Sequence, residues 1–166
     1  MRAKLEEILS RVTIETLEKL AFMFAFPDDG EENPPTDFKV TAIVSFTGPF
    51  SGTLVITIST EVLQELAANM LGLDDEEEIT ENQRFDALKE TMNVICGNLL
   101  PAIAGDKVVF DIGVPEVLPA GQQVKKGAGI PDEHELSAKV SLDLDEGQCS
   151  FLLFLAGQIP DDVGSP

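Results

Sequence analysis

Thr80 to Gly105 reads TENQRFDALKETMNVICGNLLPAIAG. At about 100° per residue, Phe85, Leu88, Met92, Ile95, Cys96 and Leu99 fall within an arc of about 100° and form an apolar stripe, the signature of an amphipathic helix. Thr80 is placed to cap that helix, and Gln83, three residues on, completes a capping box. A second stripe, about 60° wide on the same wheel and well away from the first, holds Asp86, Glu90, Asn93 and Gly97. The helix therefore has one face to bury and another that presents two carboxylates, an amide and bare backbone. Asparagine inside a helix costs several tenths of a kcal/mol relative to alanine, so Asn93 needs a compensating role. Glu90 and Asn93, three apart, have Cβ atoms about 5–6 Å from each other and can enter one partner pocket side by side. Gly97, a turn further on, leaves room for another backbone to approach. Pro101 removes one hydrogen bond near the helix end and is expected to kink or weaken the last turn.

The chain around this helix supplies a platform. Leu5, Ile8, Leu9, Val12, Leu17, Leu20, Ala21 and Phe24 recur at helical spacing, which predicts a first helix over residues 3 to about 24, ended by Pro27. Pro27 to Thr36 is an acidic loop rich in Pro and Gly. Lys39–Phe46 and Ser51–Ser59 alternate and are β-branched, which predicts an antiparallel strand pair across Thr47–Pro49. Thr60 is placed to cap a helix over Glu61–Met70, with Leu63, Leu66, Ala67 and Met70 inward and Gly72 as its stop. Asp74–Glu78 is a solvated acidic run without the spaced ligands and central glycine of a calcium loop. After the long helix, Val108–Val114 predicts a strand closed by Pro115. Pro119–Gly129 reads as a loop or irregular edge strand. Glu135–Leu144 and Gln148–Leu155 predict a hairpin turning at Asp145–Gly147. The order predicts an α+β fold: an antiparallel sheet of about six strands with helices packed on one face. We expect one domain over residues 1–157 and a disordered tail over 158–166.

Composition narrows the function. The formal net charge is −19 and the sequence pI about 4.1, so nucleic acid and anionic membrane are disfavoured partners. Solubility, or a basic partner surface, accounts for the acidity. Hydrophobic residues make up 43 %, enough for a packed core. No run has the roughly 18–20 apolar residues of a membrane span, and the N-terminus lacks a signal-peptide core. Cys96 and Cys149 are too isolated for a disulfide scaffold or a metal knuckle, and read as buried thiols in a reducing cytoplasm. Trp and Tyr are absent, which removes the usual stacking platforms for bases. His134, the one histidine, sits among Asp132, Glu133 and Glu135 and reads as a surface residue. A single histidine so placed removes Ser-His-Asp and Cys-His catalysis on a single chain and disfavours a zinc site.

The string DALKETMNVICGN resembles the helix signature D/S-x-x-x-E-x-x-N of the CheC/CheX/FliY family of chemotaxis phosphatases, matched by Asp86, Glu90 and Asn93, with Gly97 also familiar. GPFSGTLVITISTEVLQELAANMLG resembles the strand-helix unit that precedes that helix in CheX. Pro115 resembles the proline that closes the signature, one residue closer than usual. The resemblance implies an antiparallel sheet flanked by helices and a phosphatase acting on the aspartyl phosphate of a CheY-type response regulator. It implies that Glu90 pairs with the regulator's active-site lysine and that Asn93 orients the attacking water, with Asp86 and Gly97 contacting the partner. It implies no cofactor on this chain, with Mg²⁺ held by the regulator. An amide both donates and accepts, so it can fix a water without a tuned pKa, whereas a glutamate is a weak base. CheC carries the signature twice. Here the first helix offers Glu15 and Glu18 in the corresponding register without the asparagine, so one site per chain is expected, as in CheX. The resemblance further implies a homodimer through strand pairing, for which Phe151–Leu155 is the candidate if it forms an edge. Two alternatives stand beside this reading: a non-catalytic regulator-binding or flagellar-switch module of the same fold, and an acidic cation binder.

Overall fold

The computed structural model describes residues 2–27, 39–73, 78–118, 125–126 and 129–160. The acidic loop after Pro27, the run 74–77, much of the 119–129 segment and the tail from 161 lie outside the described residues. The elements are α1 (Arg2–Ala21), β1 (Phe26–Pro27), β2 (Lys39–Thr47), β3 (Phe50–Ser59), α2 (Thr60–Leu71), α3 (Glu81–Ala104), β4 (Asp111–Ile112), β5 (Glu116–Leu118), β6 (Lys125–Lys126), β7 (Gly129–Ile130), β8 (Glu135–Leu144) and β9 (Gly147–Gly157).

The main sheet is antiparallel, with seven strands in the order β1-β8-β9-β3-β2-β4 and β5 also paired to β2. Two hairpins build its centre: β2 with β3, and β8 with β9, joined by the β3–β9 pairing from Phe50↔Gly157 to Ile58↔Cys149. Alternation sorts the side chains. Leu54, Ile56 and Ile58 of β3 and Phe151, Leu153 and Leu155 of β9 all enter the core beneath the helices. All three helices contribute to this core, with Leu5, Ile8 and Leu9 from α1 and Leu63 and Leu66 from α2. The opposite face carries Ile43 and Val55 under Ile130, with Leu152 and Phe154 packed against them. This is the expected α+β architecture.

Several local expectations are corrected. α1 ends at Ala21, not near residue 24: Asn69 Nδ2 donates to the Ala21 carbonyl (2.8 Å), Phe22 turns left-handed (φ 54), and Phe24 is exposed. Pro27 then pairs with Leu142 at the sheet edge. Ser59, not Thr60, occupies the N-cap of α2. Its hydroxyl makes no capping bond and instead accepts from the Gln148 N–H (3.3 Å), so the helix start is tied to the β8–β9 turn. The Val108–Val114 run does not form one strand. Only Asp111–Ile112 pairs with β2, while Val109 and Val114 are among the most exposed apolar residues. Phe110 packs edge-on against Phe46 and Phe50, with ring centroids 6.0 and 5.0 Å apart. β9 lies between β8 and β3, so Phe151–Leu155 is no edge and cannot pair with a second molecule.

His134 is buried rather than on the surface. A tight turn, closed by the His134 N–H to the Pro131 carbonyl (3.0 Å), tucks its ring over β3. There Nδ1 hydrogen-bonds with Thr53 Oγ1 (2.9 Å) and Nε2 with Ser51 Oγ (3.3 Å), the two hydroxyls that alternation places on this face. The acidic neighbours are exposed while the imidazole between them is not, which is why local polarity misleads here.

Gly52 of β3 faces the core where a Cβ would meet the Phe46 ring and the Phe154 carbonyl. Backbone cannot yield as a flexible side chain does, so Gly52→Ala should destabilise the fold by about 1–3 kcal/mol, read as a lower urea midpoint with unchanged slope. An unshifted midpoint would show that β3 and β9 are not packed this closely.

Candidate functional site

α3 starts as expected. The Gln83 N–H donates to Thr80 Oγ1 (3.1 Å) and the Thr80 N–H to Gln83 Oε1 (2.9 Å), closing the capping box. The helix then runs unbroken to Ala104, with Pro101 inside it and the Gly105 N–H donating to the Pro101 carbonyl (2.8 Å). Pro101 has no N–H, so the Gly97 carbonyl lacks its usual donor one turn on. Leu88, Met92, Ile95, Cys96 and Leu99 are fully buried, and Phe85 is partly buried against the same core. Burial pushes the Cys96 thiol up to about 12 and raises Cys149 as well, which keeps both protonated and unreactive.

The opposite face carries the predicted stripe. Asp86, Glu90, Asn93 and Gly97 are all exposed on α3, so one rigid element brings the four together. Among the described residues none of their side chains takes part in a hydrogen bond or an ion pair. Glu90 is a free carboxylate and Asn93 a free amide, both anchored through the buried face. A Cβ built on Gly97 meets nothing within 4 Å. No internal contact therefore requires glycine there, although mid-helix glycine costs about 0.5–1 kcal/mol relative to alanine. Asn93 and Gly97 both reduce helix stability without a return inside the fold, which directs attention outward.

Two clefts flank this stripe and were not foreseen. One, of about 400 Å³, lies between α1 and α3, lined by Arg11, Glu15, Lys19, Val94 and Asn98 among others. Glu15 thus faces a groove, and no asparagine accompanies Glu18, so among the described residues the two-residue pair occurs once. The other, of about 340 Å³, is lined by Leu20, Met70, Leu71, Gln83, Asp86, Ala87 and Glu90. The ends of α1 and α2 meet α3 there, a junction that local periodicity does not reveal. No group of three or more His, Cys, Asp or Glu among the described residues is arranged to hold a metal ion. No helix of the described residues is long and apolar enough to cross a membrane.

The family model described as Chemotaxis phosphatase CheX matches residues 40–128, just over half of the chain and all of α3. Among solved structures, the chemotaxis protein CheX from Vibrio vulnificus superposes with a TM-score of 0.72 at 18 % identity, covering 93 % of this chain and 98 % of that one. A chain of the CheX-CheY-BeF3-Mg+2 complex from Borrelia burgdorferi gives a TM-score of 0.61 at 16 % identity, covering 90 % and 96 %. FliY from Thermotoga maritima gives 0.59 at 15 % identity, covering 94 % and 89 %. At these identities the likeness is one of fold. No curated protein matches the chain.

Because nothing in the fold needs Gly97, Gly97→Ala should raise stability by about 0.5–1 kcal/mol, seen as an increase in Tm. A fall in Tm would mean that an internal contact holds this position.

Proposed function

The chain belongs to the CheX family, and on that premise we propose that it hydrolyses the aspartyl phosphate of a CheY-type response regulator, with Asn93 and Glu90 entering the regulator's active site. The observation that carries this reading is the exposed, uncommitted Glu90–Asn93 pair on a helix whose other face is locked in the core.

Phosphoryl transfer demands an in-line nucleophile and neutralisation of charge more than covalent catalysis. In this proposal the regulator contributes the Mg²⁺ and the lysine that meet the charge, so this chain needs no metal of its own. Asn93 supplies orientation: its carboxamide accepts from the attacking water and donates toward the phosphoryl oxygens. Glu90, a turn away on the same face, pairs with the regulator's lysine and fixes the docking angle. Asp86 extends the acidic edge, and Gly97 lets the regulator's backbone approach α3. Positioning of this kind is worth several kcal/mol when the donor is held rigidly, and the buried stripe of α3 provides that rigidity.

A homodimer belongs to the same proposal. Among the described residues, β1 covers only Leu142 and Asp143 on the outer edge of β8, and the Lys139 N–H is held by Glu6 (2.9 Å). Apart from the Lys139 N–H, the edge from Leu136 to Ser141 is the seam along which a second copy would pair. Sedimentation equilibrium should then give twice the 17.9 kDa chain mass; a monomer at micromolar concentration removes the dimer from the proposal.

Asn93→Ala tests the mechanism. Alanine is the better helix former, so Tm should hold or rise slightly. Phosphate release from the Mg²⁺-loaded, phosphorylated regulator should fall about 100-fold, while binding changes little. An unchanged rate rules out the role given to Asn93. Tight binding of the phosphorylated regulator by the unsubstituted chain, without turnover, selects the non-catalytic module instead.

A further inference from the structure

Single apolar side chains on a protein surface need no explanation. The corner where α1, α2 and α3 meet is different. α1 ends at Ala21, whose carbonyl accepts from Asn69 near the end of α2. Phe22 follows in the left-handed region, φ 54, where a bulky residue is disfavoured and glycine is the usual choice after a helix. Backbone bonds hold it there: the Phe22 N–H donates to the Glu18 carbonyl (3.0 Å) and the Met23 N–H to the Leu17 carbonyl (3.1 Å). Met23 and Ala25 are buried on one side of the segment, while Phe22 is 74 % exposed. Leu71, the last residue of α2, is 45 % exposed at the same corner. Leu71 also lines the cleft that contains Leu20, Met70, Asp86 and Glu90.

Phe22 gives the core nothing and occupies a backbone conformation better suited to glycine. As with Asn93 and Gly97, its compensation must come from outside the fold. The corner adjoins the candidate site: Leu20 and Leu71 line the cleft with Glu90, and Phe22 is held beside them by the chain and by the Asn69–Ala21 hydrogen bond. Charge indicates the occupant. The apolar rim meets Asp86 and Glu90, two carboxylates one turn apart with no ion pair among the described residues. A surface of that kind is complementary to one on which an apolar side chain stands beside a basic residue.

We propose that Phe22 and Leu71 form a docking ledge for the phosphorylated receiver domain, holding an apolar side chain of the receiver next to the basic residue that meets Glu90. This rests on the reading of Glu90 and Asn93 given above and assigns the ledge no part in the chemistry. Phe22 is a positioning residue: it fixes where the receiver sits, and Asn93 acts on what is placed before it.

Phe22→Gly separates docking from folding. It deletes the ring and supplies the residue best suited to φ 54, so Tm should hold or rise. The full chain is assayed for phosphate release from each phosphorylated CheY-type receiver of its source organism. Binding is measured by calorimetry with the same receivers loaded with Mg²⁺ and beryllofluoride. The expected result is a rise of about tenfold or more in KM and Kd with kcat unchanged, and recovery of most of that loss in Phe22→Leu. Unchanged KM and Kd in Phe22→Gly overturn the ledge and leave the hydrolase reading intact. A loss of dimer without a change in KM also overturns it and makes a second copy the occupant. If the unsubstituted chain binds a receiver without speeding phosphate release, the hydrolase reading fails, and the ledge stands if Phe22→Gly still weakens Kd. No binding to any receiver overturns both.

Discussion

Burial of one stripe of α3 sets the orientation of everything on that helix. Leu88, Met92, Ile95, Cys96 and Leu99 are removed from water against the sheet and α1. Each large side chain of that kind contributes about 1.5–3 kcal/mol on burial. Rolling the helix by even a quarter turn would expose several of them and push Asp86 or Glu90 toward the core, where an unpaired carboxylate is costly. The outward direction of Glu90 and Asn93 is thus fixed by apolar packing on the far side of the helix. The capping box at Thr80 and Gln83 sets where the helix begins, and the stripe sets how it is turned.

How much of this the chain discloses by itself depends on whether the information is local. The α3 stripe, its cap, the two central hairpins and the Gly72 stop are all written in periodicity and turn chemistry, and each appears where those signals put it. The α1 boundary fails because periodicity continues through Phe24 while a tertiary hydrogen bond from Asn69 closes the helix at Ala21. The N-cap of α2 shifts to Ser59, whose hydroxyl is claimed by the distant Gln148 N–H. His134 is the clearest case: its neighbours in sequence are solvated acids, yet its partners, Ser51 and Thr53, lie on a strand some eighty residues earlier. The four residues of the candidate site were legible because a single helix carries them. The clefts beside them were not, since they arise where three helices meet.

The protein's acidity also looks different once residues have places. A net charge of −19 is mostly diffuse, but on the exposed stripe of α3 it narrows to two carboxylates beside an amide, with Arg11 and Lys19 in the groove on the α1 side. A partner approaching this face meets both signs. That pattern constrains orientation more than overall attraction does, because rotating the partner exchanges favourable contacts for repulsive ones. The second helix face in the same register, around Glu15 and Glu18, has the acids without the amide, so α3 alone carries both on one exposed stripe among the described residues.

The β3–β9 pairing has a kinetic consequence. The two hairpins are local and can close early, but the seam between them joins segments roughly a hundred residues apart in sequence. Contacts that distant are slow to form, because the entropy of closing the intervening loop is lost before the pairing rewards it. Until that seam forms, β9 presents Phe151 to Leu155 as a bare apolar strand, a template for association with other chains. β9, which ends paired along both edges, is open along one of them while the chain is being made, and α2 and α3, which lie between β3 and β9 in sequence, gain the full sheet to pack on only when the seam closes.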